Sequence, residues 1–176
     1  MIFIIGVGRS GTSLLQSILN SHTKISFLPE TQFIRKYIFK NSLKRGSNNY
    51  QYAIKKLKND SKFKRLNISY EDVIVDSENM FDVYQNILKI YLKNKNKNII
   101  GDKDPKIIEY IPILKKYFPS SKIIHIIRDP RDVVLSRTKA QWSKRIPYFI
   151  HSLVYFLQIN YGIKMLNKLY KNNHYE

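Results

Sequence analysis

Cysteine is absent from the 176-residue chain. That excludes disulfides and thiolate metal ligands and is compatible with a reducing compartment. Histidine is scarce: His22, His125, His151 and His174 stand far apart, with no His-Glu-x-x-His helix, so no metal site is expected. No apolar run reaches the ~18 residues of a membrane span. The first apolar run has no basic stretch before it and is broken by Gly6, Gly8 and Arg9, unlike a secretory signal. The expected location is therefore cytoplasmic. Acidic residues are few, 13 against 31 Lys and Arg, for a formal net charge of +18. Glycine is rare as well, yet three of the 6 glycines fall between positions 6 and 11.

That glycine-rich stretch organises the chain. Ile2-Phe3-Ile4-Ile5 reads as a strand and Gly6-Val7-Gly8-Arg9-Ser10-Gly11-Thr12-Ser13 as a turn. Leu14-Leu15-Gln16-Ser17-Ile18-Leu19 then reads as an amphipathic helix burying Leu14, Leu15, Ile18 and Leu19. Strand, turn and helix in that order form a phosphate cradle, because the first N–H groups of a helix lack intrahelical acceptors and point at an anion. The pattern Gly6-x-x-x-x-Gly11-Thr12-Ser13 is a Walker A loop with Thr12 where the phosphate-binding lysine belongs, and Arg9 is the one cation within it. A triphosphate hydrolase would be poorly served by that change. A ligand with a 5′-phosphate and one transferable group would not miss the lysine. A serine hydrolase fails on spacing, since Gly8-Arg9-Ser10-Gly11 has no residue between the serine and the second glycine.

Farther along, Ile25-Ser26-Phe27-Leu28 reads as a short strand and Pro29 as the first residue of a helix with Glu30 in its first turn and Phe33, Ile34, Tyr37 and Ile38 as its apolar stripe. Residues 41–70 read as short helices and loops, and Met80, Tyr84, Ile87, Leu88 and Tyr91 share one face of a helix. Ile99-Ile100-Gly101 is a brief strand leading to Asp102-Lys103-Asp104-Pro105, where Asp104 is a plausible cap. Lys103 reads either as a cation at the site or as a surface ion pair with Asp102 or Asp104. Lys122 to Ile127 is apolar enough for a parallel strand buried on both faces. It ends in Arg128-Asp129-Pro130-Arg131-Asp132, where Asp129 caps the next helix, which carries Ser136. Arg128 reads either as an anion ligand or as a helix-flanking ion pair with Asp129 or Asp132. A last helix from Pro147 carries Phe149, Ile150, Leu153, Val154, Phe156, Leu157, Tyr161, Met165 and Leu166 as its apolar set.

Strands alternating with helices make this an α/β domain with a parallel sheet, expected as one domain over residues 1–176. Ligands of such sheets sit at the carboxyl ends of the strands. Those ends carry Arg9, Glu30, Lys103 and Arg128. Charge adds a second pattern: residues 35–65 carry a net +10 and residues 66–92 a net −4. The basic block suits an anionic partner, such as a polyanionic acceptor, nucleic acid or a membrane surface, or else it is a solvated face with a compositional bias.

These four stations together resemble the sulfotransferase family that uses 3′-phosphoadenosine 5′-phosphosulfate, in its tyrosylprotein-sulfotransferase-like and bacterial branches. Arg9-Ser10-Gly11-Thr12-Ser13-Leu14-Leu15 resembles the 5′-phosphosulfate loop, Pro29-Glu30-Thr31 the segment with the catalytic glutamate, and Asp102-Lys103-Asp104-Pro105 the Lys-Asp-Pro element. Ile127-Arg128-Asp129-Pro130-Arg131-Asp132 with Ser136 resembles the 3′-phosphate element. The resemblance implies a P-loop-containing parallel β-sheet flanked by helices, with Gly8, Arg9, Ser10, Gly11, Thr12 and Ser13 on the donor's 5′-phosphosulfate and Arg128 and Ser136 on its 3′-phosphate. It makes Glu30 the general base toward a hydroxyl acceptor, with Lys103 and Arg9 stabilising charge on the sulfuryl and bridging oxygens, and no metal.

The resemblance covers about residues 1–140, and family members usually continue past the point matching residue 176. The chain is therefore expected to lack a segment completing the adenine, 3′-phosphate and acceptor contacts. Weak donor binding or self-association through the last helix is the expected consequence. Two rival readings stay open: a P-loop nucleotide kinase or NTPase with Asp102 or Asp129 as metal ligand, and a non-catalytic polyanion-binding domain, although no nucleic-acid-binding motif is present.

Overall fold

The computed structural model describes residues 1–38, 48–143 and 145–171. The chain divides into two compact units, one of residues 1–18 with 103–176 and one of residues 19–102. Its strands form a parallel sheet in the order β2-β3-β1-β4, where β1 is Ile2–Gly6, β2 Ile25–Phe27, β3 Ile99–Lys103 and β4 Lys122–Ile126. Helices flank it, as expected.

In the first unit β1 is the most enclosed strand, with Phe3, Ile4 and Ile5 fully buried. It pairs in parallel with β4, from Ile2 opposite Lys122 to Gly6 opposite Ile126. The turn after β1 leads into α1 (Thr12–Asn20). After β3, Asp104 accepts the Lys106 N–H and Pro105 opens a 3₁₀ turn to Tyr110, continued by α6 (Ile111–Tyr117). Asp129 repeats the device at the head of α7 (Pro130–Thr138), accepting the Arg131 N–H at 2.8 Å. A 3₁₀ turn at Gln141–Ser143 precedes α8 (Tyr148–Lys171), which packs on α7, α6 and β1. No helix among the described residues is long and apolar enough to cross a membrane.

The second unit pairs β2 with β3, Phe27 lying opposite Gly101. Around this pair lie a π-wound turn at Ile34–Ile38, α2 (Asn48–Lys58), α3 (Ser61–Lys64), α4 (Tyr70–Ile74) and α5 (Met80–Asn94). Phe33 stacks on Tyr84 at 5.0 Å and meets Tyr37 at 4.9 Å. The predicted stripe of α5 is buried as expected. Asp60 joins the unit's segments by accepting from Lys36 Nζ at 2.6 Å and Tyr37 Oη at 2.9 Å. Burial alone would raise this carboxyl's pKa; the hydrogen bonds from Lys36, the Lys62 N–H and Tyr37 outweigh that and hold it below the usual value.

Three expectations are corrected, and α8 turns much of its apolar set outward. In α1, Leu14 and Ile18 are 68% and 57% exposed and Leu15 and Leu19 only half-buried; the helix turns Thr12 inward instead. Residues four apart share a face, so exposing Leu14 exposes Ile18 with it. No helix starts at Pro29: residues 28–32 are irregular, Gln32 adopts φ 59°, and Thr31 Oγ accepts the Phe33 N–H at 3.2 Å. Glu30 therefore precedes the helical turn rather than sitting within it. Strand β4 is half-exposed rather than buried on both faces, because it is the sheet's edge. Helix α8 buries His151, Tyr155, Ile159 and Gly162, whereas Phe149, Leu153, Phe156, Leu157 and Tyr161 of the expected apolar set are exposed. Of the basic block, Lys40, Lys44 and Arg45 lie outside the described residues.

Candidate active site

The turn between β1 and α1 is shaped by backbone conformations that few residues adopt. Gly11 has φ 92° and Arg9, despite its side chain, φ 81°. A non-glycine residue in that region is strained and persists where the surroundings hold it. Gly6 serves close approach instead: a Cβ there would meet Ile126 O at 2.8 Å, so the residue lets the turn leave β1 against the end of β4. Cβ atoms at Gly8 or Gly11 would meet nothing within 4 Å among the described residues, which leave the mouth of the turn open. The Ser10 N–H donates to Val7 O at 3.1 Å and the Leu15 N–H to Gly11 O at 3.1 Å, which makes Gly11 the residue from which α1 starts.

Two pairs converge on this turn. Lys103, the last residue of β3, is only 4% exposed and donates from Nζ to Ser13 Oγ at 3.3 Å. A buried ammonium beside the first turn of α1 adds full charge to the helix's partial positive charge. Lys103 is enclosed rather than at the surface; beside it Asp102 accepts from Tyr84 Oη at 2.6 Å, and Asp104 caps the following turn. On the other flank Arg9 donates from Nε to Ser136 Oγ on α7 at 3.0 Å. The expected 5′-phosphosulfate arginine and the expected 3′-phosphate serine are thus direct neighbours.

Ser10 is 3% exposed, and its Oγ has no hydrogen-bond partner among the described residues. A buried hydroxyl without a partner costs about 1–3 kcal/mol, which an anion accepting its proton relieves. This orphaned donor, the open mouth, the helix start and Lys103 together fit a phosphate- or sulfate-like group. Thr12 is buried at the base of the turn.

Arg128 leaves the end of β4 exposed and pairs with Asp132, Nη2 to Oδ2 at 3.0 Å, so the ion-pair reading describes its side chain as it stands here. Arg131 pairs with Asp129 at 2.6 Å, and that guanidinium's hydrogen bonds pull the Asp129 carboxyl down to about 2. Arg137, half-buried on α7, lies over the Trp142 ring at 5.7 Å. Glu30 belongs to the second unit, where its Oε1 accepts from Gln32 Nε2 at 3.3 Å.

One side chain here escaped the sequence reading. Tyr155 of α8 is buried with Val7, Val133 and Ile159, and its hydroxyl donates to the backbone carbonyl of Arg128. The signal was the spacing His151, Tyr155, Ile159, Gly162, a second helical face less apolar than the one chosen.

A model of the sulfotransferase family matches residues 2–175. Protein-tyrosine sulfotransferase 1 of Danio rerio is 28% identical over 140 residues, covering 77% of this chain and 34% of that protein. An uncharacterized protein of Aquifex aeolicus (strain VF5) is 26% identical over 144 residues, covering 82% of this chain and 17% of its own. The chain thus spans about a third or less of the curated relatives it matches. Among solved structures, the sulfotransferase domain from the curacin biosynthetic pathway superposes with a TM-score of 0.62 at 20% identity, over 95% of this chain and 62% of that one. The sulfotransferase domain of the Synechococcus PCC 7002 olefin synthase gives 0.60 at 20% identity, over 96% and 60%. At that identity the two structures speak for the fold alone.

Proposed function

Because the chain belongs to the sulfotransferase family, we propose that it binds 3′-phosphoadenosine 5′-phosphosulfate and transfers its sulfuryl group to a hydroxyl acceptor. The observation that carries this reading is the enclosed Lys103 beside Ser13, at the mouth of a turn whose buried Ser10 hydroxyl has no partner among the described residues. The donor supplies an activated sulfuryl group on a good phosphate leaving group. Ser10, Thr12, Ser13 and the first N–H groups of α1 bind its 5′-phosphosulfate. Lys103 and Arg9 neutralise charge gathering on the sulfuryl and bridging oxygens as the S–O bond to phosphate breaks and the acceptor's O–S bond forms. Glu30 takes the acceptor's proton, a role worth typically about 10²–10⁴-fold. Arg128 and Ser136 hold the 3′-phosphate, which ATP lacks.

The acceptor is read from charge. Lys55, Lys56, Lys58, Lys64 and Arg65 are all exposed, which suits an acidic saccharide or peptide. The exposed side of α8 suits a second copy of the chain. Phe149, Leu153, Phe156 and Ile163 follow one seam of the helix. Lys164, Lys168 and Lys171 crowd its C-terminal half with no acid on the helix, which favours antiparallel pairing.

A thermal-shift titration tests the donor reading. Adenosine 3′,5′-bisphosphate stabilises the protein without Mg²⁺, following mass action. Stabilisation by ATP with Mg²⁺ alone establishes a kinase or NTPase instead; stabilisation by heparin or DNA and by neither nucleotide establishes a binding domain.

A further inference from the structure

Helix α8 reaches the segments around the candidate site with Tyr155. Tyr155 is buried, and its ring shares a cluster with Val7, Val133 and Ile159. Val7 lies within the β1–α1 turn, between Gly6 and Gly8, and Val133 lies in the first turn of α7. The ring therefore underlies both backbone segments that carry the expected anion ligands, Arg9 on one side and Arg128 with Ser136 on the other. The hydroxyl then donates to the carbonyl of Arg128. That carbonyl belongs to the stretch 127–129, which is neither strand nor helix and so lacks a regular ladder of its own. Burial raises the Tyr155 pKa, with the charge of Asp129 adding to it, so the phenol keeps the proton it donates.

We propose that Tyr155 is a positioning residue of the donor site: its hydroxyl fixes the Arg128 backbone, while its ring holds the β1–α1 turn and α7 at a set spacing. The role rests on the donor reading above. It makes recognition of the 3′-phosphate depend on a helix that touches no ligand. Neutral packing predicts something different, because then the ring matters and the hydroxyl does not.

Tyr155→Phe separates the two, since it keeps the ring in the core and removes only the donor. In calorimetric titration the Kd for adenosine 3′,5′-bisphosphate rises about fivefold, the loss expected of one hydrogen bond. The Kd for adenosine 5′-phosphate, which lacks the 3′-phosphate, changes by less than about twofold. Equal weakening of both ligands, or of neither, overturns the proposal. If the wild-type protein binds neither nucleotide, the donor reading falls, and amide hydrogen exchange on the ligand-free protein still decides the positioning role. Exchange across residues 127–132 accelerates in the variant while Phe3–Ile5 of β1 keeps its rate. Unchanged exchange at 127–132, or acceleration at both places, overturns it.

Discussion

The two stations assigned to the donor are built in opposite ways. At the β1–α1 turn the cation is enclosed: Lys103 is held by the sheet end that carries it and meets Ser13. At the end of β4 the cation stands in solvent, with Arg128 and Asp132 having side chains 46% and 56% exposed and paired with each other. The first station is preorganised, so binding there costs little rearrangement. To take the proposed phosphate, the second would exchange an intramolecular carboxylate for it, and an exposed ion pair worth about 0–1 kcal/mol is easily exchanged. On the proposed reading, catalytic charge stabilisation belongs at the first station, and discrimination between ligands at the second.

Glu30→Gln sharpens this contrast most, because it leaves both stations intact: kcat falls about 10²–10⁴-fold while bisphosphate affinity stays within about twofold. Steady-state kinetics beside calorimetry shows it, and retained turnover removes Glu30 as the base. Arg128→Ala comes next. It weakens adenosine 3′,5′-bisphosphate about tenfold or more and adenosine 5′-phosphate little, as for loss of a charged hydrogen bond; equal losses would erase the difference between the stations. Asp132→Asn works the other way and tightens the bisphosphate by about two- to fivefold, since it removes Arg128's internal competitor. A weakened bisphosphate would mean that Asp132 orients Arg128 rather than occupying it.

The smallest effect lies beneath the exposed station. Burial lowers the pKa of His125 on β4, so its neutral form is favoured in the folded chain. The associated stability is present above the unfolded value near 6.5 and is lost as pH falls through the lower folded value. Melting temperature therefore drops modestly between about pH 7 and pH 5, and His125→Phe flattens that slope; an unchanged slope assigns it to other groups.

The open turn and the two Asp-Pro caps were legible because each is a local device. Glycines that allow an open turn, and Asp-Pro pairs that cap and start a helix at Asp104-Pro105 and Asp129-Pro130, act over a few residues and need no tertiary information. Which side of an element faces the core was less legible. Helix α8 is apolar on most of its circumference, so periodicity alone did not reveal that His151, with both ring nitrogens buried and unpartnered among the described residues, lies on the core side while Phe156 does not. The run Ile123-Ile124-His125-Ile126 reads as a central strand, and only the strand order makes it an edge. At Pro29 a favourable helix start lost to Thr31 and to the left-handed turn at Gln32, a choice made by side-chain hydrogen bonding rather than propensity. The Arg9–Ser136 contact joins residues 127 apart and had no local signature.

The turn with Lys103 is proposed to bind a phosphosulfate donor. Equilibrium dialysis with ³⁵S-labelled 3′-phosphoadenosine 5′-phosphosulfate, without Mg²⁺, tests it most directly. The expected result is saturable retention by the wild-type protein and by Glu30→Gln, displacement by adenosine 3′,5′-bisphosphate but not by ATP, and loss of retention in a folded Lys103→Ala variant. No retention by the wild-type protein, or retention that Lys103→Ala leaves unchanged, would contradict it.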